Sequence, residues 1–217
     1  MNCVHTVVLR KCTFAGPAQI LQFLEAAKYT IKYLEYTHIW MQSSGTLPHT
    51  LPLTFPLLST LKHYASESTY QFPILSILSC PVLKDLTIGE GEAKLCTVDQ
   101  YPAIQELCLV RRVFNDASPV GCPLVRDSRQ LETLTIYQQS TMLIQDPSPL
   151  VSHYKSANLD IYTGSLRRIR FHFPRDSPRG PVGLFESGLR EAANDFARRG
   201  RDIEFELIRE GDCGIRF

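Results

Sequence analysis

One short phrase recurs along this chain: an apolar residue, two variable residues, an apolar residue, one variable residue and a last apolar residue. It reads Val4-x-x-Val7-x-Leu9, Ile31-x-x-Leu34-x-Tyr36 and a weaker Leu61-x-x-Tyr64-x-Ser66. It returns as Leu83-x-x-Leu86-x-Ile88, Ile104-x-x-Leu107-x-Leu109, Leu131-x-x-Leu134-x-Ile136 and Leu166-x-x-Ile169-x-Phe171, with a partial copy at Phe205-x-Leu207. The last two apolar positions lie two apart, so on an extended chain they share a side. The leading apolar residue fits where the chain turns into the strand. One strand with two apolar side chains is too small to fold alone, and stacked parallel copies make a continuous core.

The phrases start at residues 4, 31, 61, 83, 104, 131 and 166, in steps of 27, 30, 22, 21, 27 and 35. Between them lie segments able to return the chain. Gly16 and Pro17 open a helix on which Ile20, Leu21, Leu24, Ala27 and Lys28 follow helical spacing. Phe185, Leu189, Ala192, Ala193 and Phe196 form a second helical stripe, with Gly200 where a C-terminal cap belongs. The middle connectors carry Pro48, Pro52, Pro56, Pro73 and Pro81, which permit only short helical turns or extended pieces. The expected fold is therefore α/β: an irregular leucine-rich-repeat solenoid with a curved parallel sheet and helices or irregular segments on its convex side. It is expected as a single domain over residues 1–217, with repeats over about 3–208 and a polar tail over 209–217.

The opening stretch VHTVVLRKCTFAGPAQILQFLEAAKYTIKYLEYTHIW resembles the strand–loop–helix–strand unit of fungal F-box proteins with degenerate leucine-rich repeats. FPLLSTLKHY and LSCPVLKDLTIGEGE are similar to the proline-led segments that feed the next strand in that family. The resemblance implies the substrate-recognition region of a cullin-type ubiquitin ligase subunit. No segment of the chain resembles the F-box itself, so the ligase adaptor is expected as a partner only where an F-box is supplied elsewhere. The alternatives are a repeat scaffold unconnected with ubiquitin and a small α/β enzyme.

In a solenoid the residues flanking the inward positions project onto the concave face, where repeat proteins bind partners. The expected face carries Tyr33, Glu35 and Thr37, then His63 and Glu67, then Asp85 and Thr87. Further along it carries Glu106, Thr133, Thr135 and Tyr137, and finally Arg168 and Arg170. Glu35, Glu67, Asp85 and Glu106 would suit a partner with a basic region, while Arg168 and Arg170 would pair across strands with Glu204 and Glu206.

The remaining chemistry is excluded piece by piece. Twenty-three basic and 22 acidic residues give a net charge of +1, which supplies no global field for nucleic acid. The arginines from Arg167 to Arg201 are interleaved with Asp176, Glu186, Glu191, Asp195 and Asp202. Seven dispersed cysteines lack CxxC spacing, so neither a metal site nor a redox pair is expected, and reduced thiols point to cytoplasm or nucleus. No 18-residue apolar run exists for a membrane span, and the first residues lack the apolar core of a secretion signal. Gly89-Glu90-Gly91 lacks the third glycine of a dinucleotide loop, and GxSxG is missing. The chain is expected to be no enzyme, with no cofactor and no catalytic residue.

Overall fold

The computed structural model describes residues 4–42, 52–64, 74–111, 122–138, 165–177, 179–200, 202–211 and 214–216. The chain forms two compact units, Met1–Ile104 and Gln105–Phe217. Both are mixed α/β, built on parallel strands. Among the described residues no helix is long and apolar enough to cross a membrane.

In the first unit the order is β1 (Thr6–Arg10), β2 (Thr13–Phe14), α1 (Pro17–Ala27), β3 (Tyr33–Thr37) and β4 (Trp40–Met41). Then follow β5 (Leu53–Thr54), β6 (Thr60–Tyr64), α2 (Ile74–Ile77), β7 (Leu78–Ser79), β8 (Asp85–Gly89) and α3 (Glu90–Ala93). Strands β1, β3, β6 and β8 pair in that order, all parallel. Two shorter parallel pairs, β2 with β4 and β5 with β7, lie in the connectors. Register places Val7, Leu34, Leu61 and Leu86 side by side, each no more than 7% exposed. The entry residues Ile31, Leu58 and Leu83 are completely buried. Burying each such side chain contributes about 1.5–3 kcal/mol before its ordering entropy is charged against it.

The third repeat is therefore Leu58-x-x-Leu61-x-His63, three residues earlier than the sequence reading placed it. The backbone repeats the point. The carbonyl after each entry residue accepts two N–H groups from the start of the next strand. His5 O takes Lys32 N and Tyr33 N, Lys32 O takes Ser59 N and Thr60 N, and Ser59 O takes Lys84 N and Asp85 N, at 2.8–3.2 Å. With Leu58 as the entry, the repeats step from 31 to 58 to 83, closer to the 27-residue step from 4 to 31.

The second unit runs β9 (Glu106–Arg111), α4 (Pro123–Asp127), β10 (Thr133–Gln138), β11 (Arg168–Phe173), α5 (Arg179–Arg198), β12 (Glu204–Arg209) and β13 (Ile215–Arg216). Strands β9 to β12 pair in sequence order, parallel, and align Leu107, Leu134, Ile169 and Phe205 in one buried row. Leu109, Ile136, Phe171 and Leu207 form the next buried row. The same carbonyl device operates here, Gln105 O serving Glu132 N and Thr133 N, and Glu132 O serving Arg167 N and Arg168 N.

Both expected helices form. Proline at its first position and no N–H to satisfy there start α1, which buries Ile20 and Leu24. Helix α5 buries Phe185, Leu189, Ala192 and Phe196, and the chain leaves it through Gly200 at φ 71°. Phe185 meets Phe171 and Phe173 edge-on with centroids at 4.9 and 5.3 Å, and Phe196 meets Phe205 at 5.2 Å. The expected polar tail is part of the fold: Arg209 closes β12, and β13 pairs antiparallel with it, Leu207 opposite Ile215. Arg209 also donates from Nε to Arg175 O at 3.0 Å and from Nη2 to Ser177 O at 2.8 Å, fastening the segment that leads into α5.

Candidate functional site: the open sheet faces

Strand pleating turns the residues between the buried ones to the other side of each sheet. In the first unit register puts Thr6, Tyr33, Thr60 and Asp85 in one row of that face, and Val8, Glu35, Lys62 and Thr87 in the next. Thr6, Val8 and Asp85 are exposed, and Tyr33, Thr60, Lys62 and Thr87 are half-buried. Thr37 falls on the same side but is only 2% exposed.

Glu35 is the best-defended charge on this face. It is 3% exposed, and Arg10 grips it with two nitrogens, one bond of which, from Nη2 to Oε2, measures 2.8 Å. Tyr33 donates its hydroxyl to Oε2 at 3.0 Å. The Arg10 guanidinium holds the Glu35 carboxyl below its ordinary range, with the Tyr33 bond adding to the effect against burial. Burial and the bond to Glu35 together push the Tyr33 phenol up. Lys62 sits over the Tyr33 ring, 5.8 Å from its centroid. Asp85 accepts from Thr60 Oγ1 at 3.2 Å. Glu35 is thus committed inside the sheet, and the expected role for it in holding a basic partner is corrected.

This pairing has an acid signature. A carboxyl held low in the folded state adds stability above its unfolded value of about 4.3, and the contribution disappears as pH falls further. Glu35→Gln should lower stability at pH 7 by about 1–3 kcal/mol, since Gln cannot answer the guanidinium with charge. The variant should also lose less on going from pH 5 to pH 3. Urea midpoints at the three pH values measure both effects, and parallel curves for the two proteins would refute the assignment.

His63 does not lie on the open face. Register aligns it with Leu9, Tyr36 and Ile88, in an inward row, and it is 3% exposed. Its Nδ1 faces the Tyr36 carbonyl at 3.3 Å, its Nε2 faces Glu92 Oε1 at 3.0 Å, and its ring lies 4.9 Å from that of Tyr36. Both ring nitrogens therefore meet oxygen acceptors. Glu92 belongs to α3, so the contact ties that short helix to β6. Lys62, one residue earlier, takes the place on the face that the sequence reading gave to His63. Glu67, the other residue expected from that strand, lies outside the described residues.

The second unit repeats the pattern with different side chains. Glu106, Thr133, Arg168 and Glu204 form one row of its face, Cys108, Thr135, Arg170 and Glu206 the next, and Val110, Tyr137, His172 and Ile208 a third. Arg168 donates to Glu204 at 2.7 Å and Arg170 to Glu206 at 2.9 Å, the cross-strand pairs expected. Glu204 raises Arg168 further above its ordinary value. Tyr137 and His172 stack with centroids 4.9 Å apart and planes 22° apart, and burial pushes the His172 imidazole down, toward its neutral form. Thr133 is 7% exposed, Glu106 is exposed, and Thr135 is half-buried. The charges on β11 and β12 answer one another, Glu106 stands exposed on β9, and an uncharged strip runs across Thr135, Tyr137 and His172.

Cys12 and Cys80 carry thiols outside any disulfide, and burial pushes the Cys80 thiol up to about 12, away from thiolate chemistry. Among the described residues no three His, Cys, Asp or Glu side chains are grouped to hold a metal ion. Compared with protein-family models, with curated proteins and with solved structures, the chain matches none.

Proposed function

We propose that the chain is a leucine-rich-repeat module that docks another protein on the open faces of its parallel sheets. One observation carries the reading. A parallel sheet ordinarily has both faces covered, yet here the leucine-bearing face is buried while the opposite one keeps Thr6, Val8, Asp85 and Glu106 exposed. Curved repeat arrays are the fold class that leaves such a face open and uses it for binding. The resemblance to F-box repeat proteins makes the partner a substrate for ubiquitination, recruited when an F-box is supplied elsewhere. The uncharged strip at Thr135, Tyr137 and His172 favours a partner that brings apolar and hydrogen-bonding groups to that part of the face.

Affinity capture with three versions of the full chain tests this. Thr87→Arg in the first unit and Thr135→Arg in the second, combined, place cations on half-buried face positions. Glu25→Lys on the exposed side of α1 serves as the control. Proteins held by the unchanged chain and by the control, and lost at least tenfold with the combined variant, dock on the open faces. Equal capture by all three would sink the reading. Slower turnover of the captured protein when the chain is absent supports ubiquitination, and unchanged turnover with binding intact leaves a scaffold.

A further inference from the structure

We infer that His172 is an acid-released latch on the open face of the second unit. Neutral, its ring lies on Tyr137 and completes the uncharged strip; doubly protonated, it swings off Tyr137 into water. The observation is a half-buried imidazole with one nitrogen shut in. Register sets His172 between Tyr137 of β10 and Ile208 of β12, in the row that begins at Val110, itself 8% exposed. The imidazole and phenol rings stack with centroids 4.9 Å and planes 22° apart. His172 Nδ1 is buried, and among the described residues it meets no hydrogen-bond partner. A neutral ring needs one proton, which Nε2 can hold. The imidazolium holds a proton on each nitrogen, and the one on Nδ1 would be a buried donor facing no acceptor. The charged ring therefore suits water and not the stack.

The charges around the ring leave that preference standing. On its own strand Arg170 lies in the preceding row of the face and is answered by Glu206 of β12. The neighbours on β10, Tyr137 and Thr135, bring no charge near neutral pH. At the end of β12 Arg209 gives its guanidinium to the carbonyls of Arg175 and Ser177. Burial is the larger influence on the imidazole and pushes it down, while Glu210 pushes it up. In water the ring regains its ordinary value of about 6.5. The released form therefore gains on the stacked form as pH falls below about 6.5, by up to about tenfold per pH unit, and the stacked form holds above it. That the strip serves docking rests on the function proposed above. There, release puts a cation where half of an aromatic platform stood, so an apolar partner is let go in acid. The movement of the ring does not depend on that reading.

Proton–carbon NMR of the aromatic rings in the full chain, from about pH 8 to about pH 4.5, tests the latch with no partner present. Its failure and that of the docking reading are thereby told apart. The His172 signal is the one that His172→Phe removes, and the Tyr137 signal the one that Tyr137→Leu removes. His172 should titrate below its ordinary 6.5, and the Tyr137 ring should shift in step as the stack comes apart. Tyr137→Leu should bring the His172 midpoint back toward 6.5, and Glu210→Gln, at an exposed position, should lower it further. In His172→Phe the Tyr137 ring should stay unmoved across the same range. A His172 midpoint at or above 6.5, or a Tyr137 ring that does not shift while His172 gains its proton, would overturn the inference.

Discussion

His63→Leu is expected to destabilise the first unit by about 3 kcal/mol, and adding Glu92→Leu to recover most of that loss. The single change looks benign, since leucine is what β1 carries in the same inward row and its volume is close to that of histidine. The loss comes from the carboxylate left behind. Glu92 Oε1 has the His63 ring as its partner at 3.0 Å, and Oε2 is buried with no hydrogen-bond partner. Once the imidazole is gone, a group whose side chain is only 13% exposed must hold its charge or its proton without a donor. Glu92→Leu removes that group, and an apolar pair replaces a polar one of similar size, which is often neutral. Urea unfolding of the two single variants and the double gives the coupling directly. Additive losses would show that the two residues do not act together.

The second large effect is expected at Leu134. It is completely buried, its register neighbours Leu107 and Ile169 are no more exposed than 1%, and Ile136 follows it inward on the same strand. Leu134→Ala removes three heavy atoms' worth of contact from a row that cannot close up, because ladder bonds hold the strands on either side. The expected loss is about 3–5 kcal/mol, against less than about 0.5 kcal/mol for Thr135→Ser one position on. Denaturant midpoints with unchanged slope would establish it. A loss below about 1 kcal/mol would mean that these rows do not share a core.

Much of this arrangement is legible in the residues. The phrases beginning at Ile31, Leu83 and Leu131 deliver Leu34, Leu86 and Leu134 to buried rows, and the helical stripe from Phe185 to Phe196 finds its sheet. The one displaced repeat shows where such reading ends. Leu61 and Tyr64 satisfied the apolar template, whereas His63 in the last slot of Leu58-x-x-Leu61-x-His63 did not. What makes a histidine tolerable there is Glu92, 29 residues on, and nothing local announces that pairing. The step from Ile31 was the available signal, since 27 residues lead to Leu58. Glu35 misled for a related reason. Its position on the open face was correct, but its closure by Arg10, 25 residues earlier, depends on register between strands. Lys62 belongs to no surface of the phrase read from Leu61, and only the register from Leu58 turns it to the open face. Folding of the last residues onto β12 had no apolar pattern to declare it.

The carbonyl that receives two N–H groups at the entrances of β3, β6, β8, β10 and β11 fixes register from the backbone, whatever side chains stand nearby. Register neighbours are 27, 27 and 25 residues apart in the first unit and 27, 35 and 36 apart in the second. The outer route between rungs can therefore be lengthened freely, a doubling of loop length costing only about 0.6 kcal/mol. A descendant of such a chain could exchange most of its letters and change the span of every bend while keeping the same ladder. Kinship among proteins of this kind would survive in spacing and geometry long after it had faded from spelling.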